Sequence, residues 1–287
     1  MIRFGLTLPL SGDITQLIDL SIKAEEAGFD YIWMPDHILS IDGKEPLNVW
    51  SVLSVLAKQT KRVRLGSFVA NIYRQHPLVL SNQVSSLNRI SGNRAVLGIG
   101  AGTVFDTAPF GIKRNRPLEH MKETIQTIKS QLDIPIYVAA SGPKMKQLTG
   151  RMADGWISRP ALSIDEYEKE MSEVKRWVSN RPFDYNADLP VSFKDEPWLW
   201  KNLAYRYLLQ TDFKDTIFTN SVIKEMEDAS SRVPREVLEN ISAVGNQDEI
   251  IDVLKHYVHL GVTLFSIRLY CNSFEKFSAV IKYFKLS

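Results

Sequence analysis

Residues 1–37 read MIRFGLTLPLSGDITQLIDLSIKAEEAGFDYIWMPDH, and this opening stretch decides the fold. Residues 2–8 form a short apolar run, the pattern of a strand buried on both faces. Asp13 follows as a helix N-cap, with Gln16 three residues on as its capping-box partner. Ile14, Leu17, Ile18, Ala24 and Ala27 give that helix one apolar side. Gly28 stands where a C-terminal cap belongs. Residues 29–34 are apolar again. Strand, amphipathic helix, strand is a right-handed βαβ unit, and its two strands lie parallel.

The unit repeats along the chain. Further strands are expected at 63–70, 95–99, 135–139, 155–158, 189–193 and 263–269. Helices are expected at 47–60, 77–90, 115–131, 143–153, 164–178, 248–260 and 274–284. Residues 198–240 read as several helices carrying Trp198, Trp200, Tyr205 and Tyr207. About eight strands favour a closed (β/α)8 TIM barrel over an open sheet, and 287 residues suit one. No linker rich in glycine or proline divides the chain. The expectation is a single TIM-barrel domain over residues 1–287, with a divergent helical segment at about 180–240.

Composition narrows the function classes. Hydrophobic residues are 44% and charged residues 24%, which excludes a disordered or collagen-like chain. A net charge of +2 excludes a dedicated nucleic-acid binder. One cysteine, Cys271, excludes an intramolecular disulfide and a cysteine-cluster metal site, and no metal is expected. No apolar run approaches the roughly 18 residues of a membrane span. The N-terminus reads as a strand and not as a signal peptide. A cytoplasmic protein acting on small molecules, without membrane or nucleic acid, is expected.

In a barrel the chemistry sits where strands end at their C-terminal side. After the second strand come Asp36 and His37, an acid–base or hydrogen-bonding pair. The alternative is a helix-capping Asp and a packed His. After the third strand, Asn71 and Tyr73 either contact a polar ligand or satisfy the loop. His76 before Pro77 shapes the start of the next helix. After the fourth strand, Gly98, Gly100 and Gly102 alternate, which lets backbone approach a ligand or makes a tight turn. Val104 and Phe105 follow, so this is not the dinucleotide-binding glycine fingerprint. After the fifth strand, Ala140-Ser141-Gly142-Pro143-Lys144 starts a helix whose free amides suit a phosphate; the alternative is a capped helix with a solvated Lys144. Residues 105–151 hold eight Lys or Arg against four Asp or Glu, a local lean towards anions.

These segments together resemble the luciferase-like monooxygenase superfamily. Residues 24–37, residues 87–102 with Leu97-Gly98-Ile99-Gly100-Ala101-Gly102, and residues 244–249 and 261–263 carry the likeness. Residues 137–144 and 150–157, with Gly155-Trp156-Ile157, are similar to the branch that uses the deazaflavin coenzyme F420, whose best-known members are the methylenetetrahydromethanopterin reductases. The likeness is good over 1–157 and 241–270 and poor over 180–240. It implies a (β/α)8 barrel, commonly a homodimer, with the cofactor across the C-terminal face. It implies a cofactor phosphate near Ser141, Gly142 and Lys144, with Ala140 and Trp156 in the same cofactor-binding set. Asp36 and His37 match the place where this branch sets residues beside deazaflavin and substrate, His37 to handle the proton and Asp36 to orient. A non-prolyl cis peptide behind the ring would fall between Phe68 and Val69, with Asn71, Gly100 and Gly102 close by.

The chain also departs from the family. Gln131-Leu132-Asp133 leads almost directly to Pro135, where the family usually has a long excursion over the active site. That predicts a more open cofactor face. Ile72 sits where the deazaflavin branch often has Pro. Three readings therefore stand: an oxidoreductase moving a hydride between coenzyme F420 and an organic substrate, an FMN-dependent monooxygenase, and a non-catalytic flavin-binding barrel.

Overall fold

The computed structural model describes residues 1–39, 44–214, 216–270 and 273–286; Cys271 lies outside the described residues. In chain order the elements are β1 (Arg3–Thr7), α1 (Ile14–Ala27), β2 (Tyr31–Met34), α2 (Val49–Gln59), β3 (Arg64–Asn71), α3 (Pro77–Ser91), β4 (Ala95–Gly100), α4 (Pro117–Lys129), β5 (Ile136–Ala139), α5 (Pro143–Met152) and β6 (Gly155–Ile157). There follow α6 (Ile164–Lys175), β7 (Asp184–Ser192), α7 (Pro197–Leu208), α8 (Asn220–Ser230), α9 (Arg235–Glu239), β8 (Ala243–Val244), α10 (Gln247–Leu260), β9 (Leu264–Leu269) and α11 (Phe274–Leu286).

Strands β1 to β7 and β9 are all parallel, and the β6–β7 pairing closes them into a ring. This is the (β/α)8 barrel that the alternation predicts. The two-residue β8 lies beside β7 outside the ring. Strand alternation splits the core. Inward residues Tyr31, Trp33, Phe68, Val96, Tyr137, Ile157 and Leu264 fill the barrel. Outward residues such as Phe4, Ile32, Leu65, Val138 and Phe265 meet the helices through Leu17, Leu53, Val84 and Ile125.

Local signals act as read at most termini. The Asp13 side chain accepts from the Thr15 amide, and Gly28 at φ +97° ends α1. Gln16 takes no part in a capping box there, a correction to the expected pairing. His76 caps α3 by accepting from the Leu78 amide at 3.2 Å. Strand β7 is longer than the expected 189–193 and starts at Asp184. Its inward positions Asp184, Asn186 and Asp188 are polar, which hides the strand from a hydrophobic reading.

The chain between β7 and β8 builds α7 to α9, and Arg206 of α7 pairs with Asp188 on β7. Phe218, in the connection between α7 and α8, meets Phe105 beyond β4 edge to face at 5.4 Å.

Candidate active site

Asp36 and His37 follow β2 directly, and neither caps a helix. Asp36 forms an ion pair with Arg74, and Arg74 also donates to the Asp36 carbonyl at 2.6 Å. Asp106, 2% exposed, stands on the other side. Its Oδ1 accepts from the Ile38 amide at 2.9 Å. Its Oδ2 lies 3.7 Å from His37 Nδ1 and 3.8 Å from Arg74 Nη1. The His37 ring stacks on Phe105 at 5.4 Å and 25°. Three strand ends thus converge: β2 gives Asp36 and His37, β3 gives Arg74, and the β4 loop gives Asp106.

The two carboxylates differ in environment. Burial raises the Asp36 carboxyl above its ordinary value; Arg74, His37 and the Asn71 amide offset only part of that. Burial also acts on Asp106, but His37, the Ile38 amide and Arg74 outweigh it and hold the carboxyl below the ordinary range. His37 Nδ1 lies 3.7 Å from Asp106 and is buried without a hydrogen-bond partner, so Nε2 is the atom left for a substrate. Arg74 and Asp106 were not singled out from the sequence. An ion-paired acid is visible only once β3 and β4 are neighbours.

The Phe68–Val69 peptide is cis, at the bond where the resemblance places it. The register between β3 and β4 shifts there, between Ser67 and Ala70. The glycines of β4 serve this bulge. A Cβ on Gly98 would lie 2.3 Å from the Ser67 carbonyl, and one on Gly100 would lie 2.7 Å from Val69. Gly102, at φ +68°, sits against the Asn71 amide group, which a Cβ would meet at 2.2 Å. These positions make room for protein neighbours at the mouth, rather than for a ligand alone. Val69 is half-buried above them.

Asn71 is 2% exposed. Its Oδ1 accepts from the Tyr73 amide at 3.0 Å, while its Nδ2 has no partner. Thr7 Oγ1, both side-chain polar atoms of Asn186, and Ser266 Oγ are also buried and unpartnered. All three of those residues alternate with outward core positions, so they face into the barrel. Buried polar atoms are nearly always hydrogen-bonded in folded proteins. Trp33 Nε1, also inside the barrel, is unpartnered too, so the orphans run from the middle of the barrel to its C-terminal mouth, as a polar ligand site would have them.

Ser141 and Gly142 are exposed at the start of α5, where Gly142 is the N-cap and no side chain caps the helix. A Cβ on Gly142 would meet nothing within 4 Å. The two residues border a cleft of about 610 Å³ with Arg159, Tyr207 and Lys214. Glu166 and Glu170 line the same cleft, each held by Arg159, at 3.1 and 2.9 Å. Lys144 is exposed just beyond. Two expected members leave the set. Trp156 is fully buried in the layer between sheet and helices, its ring on Tyr167 and its indole nitrogen donating to the Ala140 carbonyl at 2.8 Å. Ala140 is 3% exposed in the same layer. Strand alternation turns Trp156 outward while its neighbour Ile157 faces in, so neither Trp156 nor Ala140 offers a side chain to the mouth.

Fold and site together define a (β/α)8-barrel enzyme with its polar groups gathered at the C-terminal mouth. A profile described as luciferase-like monooxygenase matches residues 1–133 and 128–264, and the chain belongs to that family. It is 35% identical to a 5,10-methylenetetrahydromethanopterin reductase of Archaeoglobus fulgidus, over 84% of this chain and 85% of the relative. It is 27% identical to an F420-dependent glucose-6-phosphate dehydrogenase of Microbacterium testaceum, over 86% and 84%. Among solved structures, an F420-dependent secondary alcohol dehydrogenase with an F420–acetone adduct superposes with a TM-score of 0.82 at 15% identity, covering 98% of this chain and 97% of that one. The coenzyme F420-dependent tetrahydromethanopterin reductase of Methanopyrus kandleri gives 0.79 at 20% identity, with the same coverage.

Proposed function

We propose that this chain is a coenzyme F420-dependent oxidoreductase acting on a small organic molecule at the barrel mouth. The observation that carries it is the ring of unpartnered buried polar atoms beside an acid–base cluster, in a chain whose relatives use F420. The residues present fit such a cofactor. Asn71, Thr7, Asn186 and Ser266 offer donors and acceptors to the polar edge of a heteroaromatic ring. Val69 offers an apolar surface to its face. Ser141, Gly142 and Lys144 would hold the phosphate of its tail.

When bound, the deazaflavin supplies a carbon that takes or gives a hydride. The chain's residues do the rest. In the oxidising direction a substrate C–H bond breaks and both electrons leave with the hydride. The proton of the substrate's O–H or N–H goes to His37. Asp106 lies beside His37 Nδ1 and orients the ring. Asp36 acts through Arg74, as a positioning residue. The Phe105 ring covers one face of the imidazole, and Phe218 backs Phe105 edge to face.

The same reading makes the protein a cytoplasmic, single-domain homodimer that uses neither nucleic acid nor membrane. Among the described residues no helix is long and apolar enough to cross a membrane. Titration with F420 and with FMN, followed by fluorescence and absorbance, tests the cofactor. F420 should bind and FMN should bind at least tenfold more weakly. Equal or tighter binding of FMN would overturn the assignment in favour of flavin chemistry.

A further inference from the structure

A second cluster faces the mouth from the far side of β1. Asp188 on β7 points inward and is 8% exposed. Arg206 of α7 donates to its Oδ2 at 2.5 Å. Arg268 of β9 donates to Oδ1 at 3.2 Å and Oδ2 at 3.4 Å. Among the described residues neither guanidinium has another acidic partner. One buried carboxylate therefore faces two guanidiniums, and the cluster carries a net charge of +1. Arg206 Nε is buried and makes no hydrogen bond. Burying an uncompensated charge is costly unless something pairs with it.

Its place in the barrel says what that partner does. Strand β9 neighbours β1, and β1 neighbours β2. The cluster thus stands two strands round from Asp36 and His37, with the unpartnered Thr7 between. Ser266, also unpartnered, is the cross-strand neighbour of Asp188. Helix α7, which delivers Arg206, leads into the connection whose Phe218 reaches Phe105 beside His37. A molecule held under α7 would run from the arginines towards His37.

We propose that Arg206 and Arg268 bind an anionic group of the substrate, a carboxylate or a phosphate, while its reacting carbon lies on the His37 side. A planar fork with parallel N–H groups suits either anion. This rests on the deazaflavin reading above, and it names the class of substrate that the site accepts. It also separates two anions: the cofactor's phosphate goes to the Ser141–Lys144 turn on β5, and the substrate's goes to β7 and β9.

The test is calorimetric titration of the F420-loaded chain with inorganic phosphate and, separately, with acetate, at constant ionic strength. Arg206→Gln and Arg268→Gln should each weaken binding of the preferred anion tenfold or more. The arm that binds more tightly tells phosphate esters from carboxylic acids. F420 and its tail-free deazaflavin nucleoside should both bind these variants within about twofold of the parent. If the variants lose F420 but keep the nucleoside, the arginines serve the cofactor's phosphate and the proposal is overturned. If they bind phosphate and acetate as the parent does, it is overturned as well. A parent chain that does not take F420 is a different result: it removes the deazaflavin reading and this inference with it. Asp188→Asn keeps both arginines and removes the charge that offsets them. It should tighten anion binding several-fold, and equal or weaker binding there would also overturn the assignment.

Discussion

His37 is held by two contacts of different kinds, a ring stack on Phe105 and the charge of Asp106 3.7 Å away. Stacking alone would make it a wall of the pocket; the carboxylate beside Nδ1 leaves Nε2 to face a substrate. A positioned acid or base contributes about 10²–10⁴ in rate. His37→Gln should therefore lower turnover by that order and flatten the pH profile near neutrality, with F420 affinity within threefold. Parent turnover with an unchanged profile would remove the proton role. Asp106 can be tested through stability. Its carboxyl sits below the ordinary value of 3.8 in the fold. A group depressed on folding stabilises above its unfolded pKa and loses that as pH falls through the folded one. Asp106→Asn should thus cost about 1–2 kcal/mol at every pH from 8 to 5, and the gap should close below about pH 4. Thermal unfolding across that range measures it. Asp36 and His37 were legible in the sequence because they end a strand. Asp106 was not, because seven residues of loop after Ile99 give no sign of where its carboxyl turns.

Strands β3 and β4 show a different limit. The alternation Gly98, Gly100, Gly102 was visible in the residues, and the bond at Phe68–Val69 followed from the family resemblance alone. What the glycines are for was not. A sequence permits both close ligand approach and close backbone approach, and only the register between two strands chooses. Here the Ser67 carbonyl and Val69 occupy the space that Cβ atoms would need. The Ser67 hydroxyl also donates to the Gly98 carbonyl at 2.8 Å, so the two backbones are tied at this point. Gly98→Ala should then destabilise the protein by about 1–3 kcal/mol, as overpacking does. It should also displace Val69 and weaken F420 binding, by about tenfold or more. Gly92→Ala is the control: it lies at the end of α3 with φ +69° and no neighbour within 4 Å. It carries the local backbone penalty without moving the mouth. Equal loss of F420 affinity in both variants would mean that the bulge is not what seats the cofactor. The same register argument explains Trp156. Its motif matched the family, but a strand's period of two decides which side a residue faces, and motif likeness does not report that.

At the scale of the whole barrel the two ends are built on opposite terms. At the N-terminal end Asp184 accepts from Tyr137 at 2.7 Å and Thr263 at 2.9 Å and pairs with Arg3, which also donates to Tyr31 at 3.1 Å. Burial, with Tyr31 and Asp184 beside it, raises the Tyr137 hydroxyl and keeps it a donor. That end is a polar plug, bordered by a cleft of about 850 Å³ that Arg3, Tyr31, Tyr137 and Asp184 line. The C-terminal end keeps Thr7, Asn71, Asn186 and Ser266 with atoms unpartnered. A buried polar group without a partner costs about 1–3 kcal/mol, so the fold is less stable for having a mouth of this kind. The two ends should therefore respond oppositely to loss of a polar group. Asp184→Ala leaves half-buried Arg3 and the buried Tyr137 hydroxyl with Tyr31 as their remaining partner, and should cost about 2 kcal/mol after allowance for the solvent that reaches Arg3. F420 affinity should be unchanged, because the plug is at the far end of the strands. Asn186→Leu removes two unsatisfied atoms from a fully buried site and replaces them with an apolar group of similar size. It should leave stability equal or raise it by about 1 kcal/mol, while F420 binding falls about tenfold. Urea unfolding and fluorescence titration of both variants give the four numbers. If Asn186→Leu destabilises as much as Asp184→Ala and binds F420 normally, the orphaned atoms at the mouth are structural, and the cofactor lies elsewhere on the barrel.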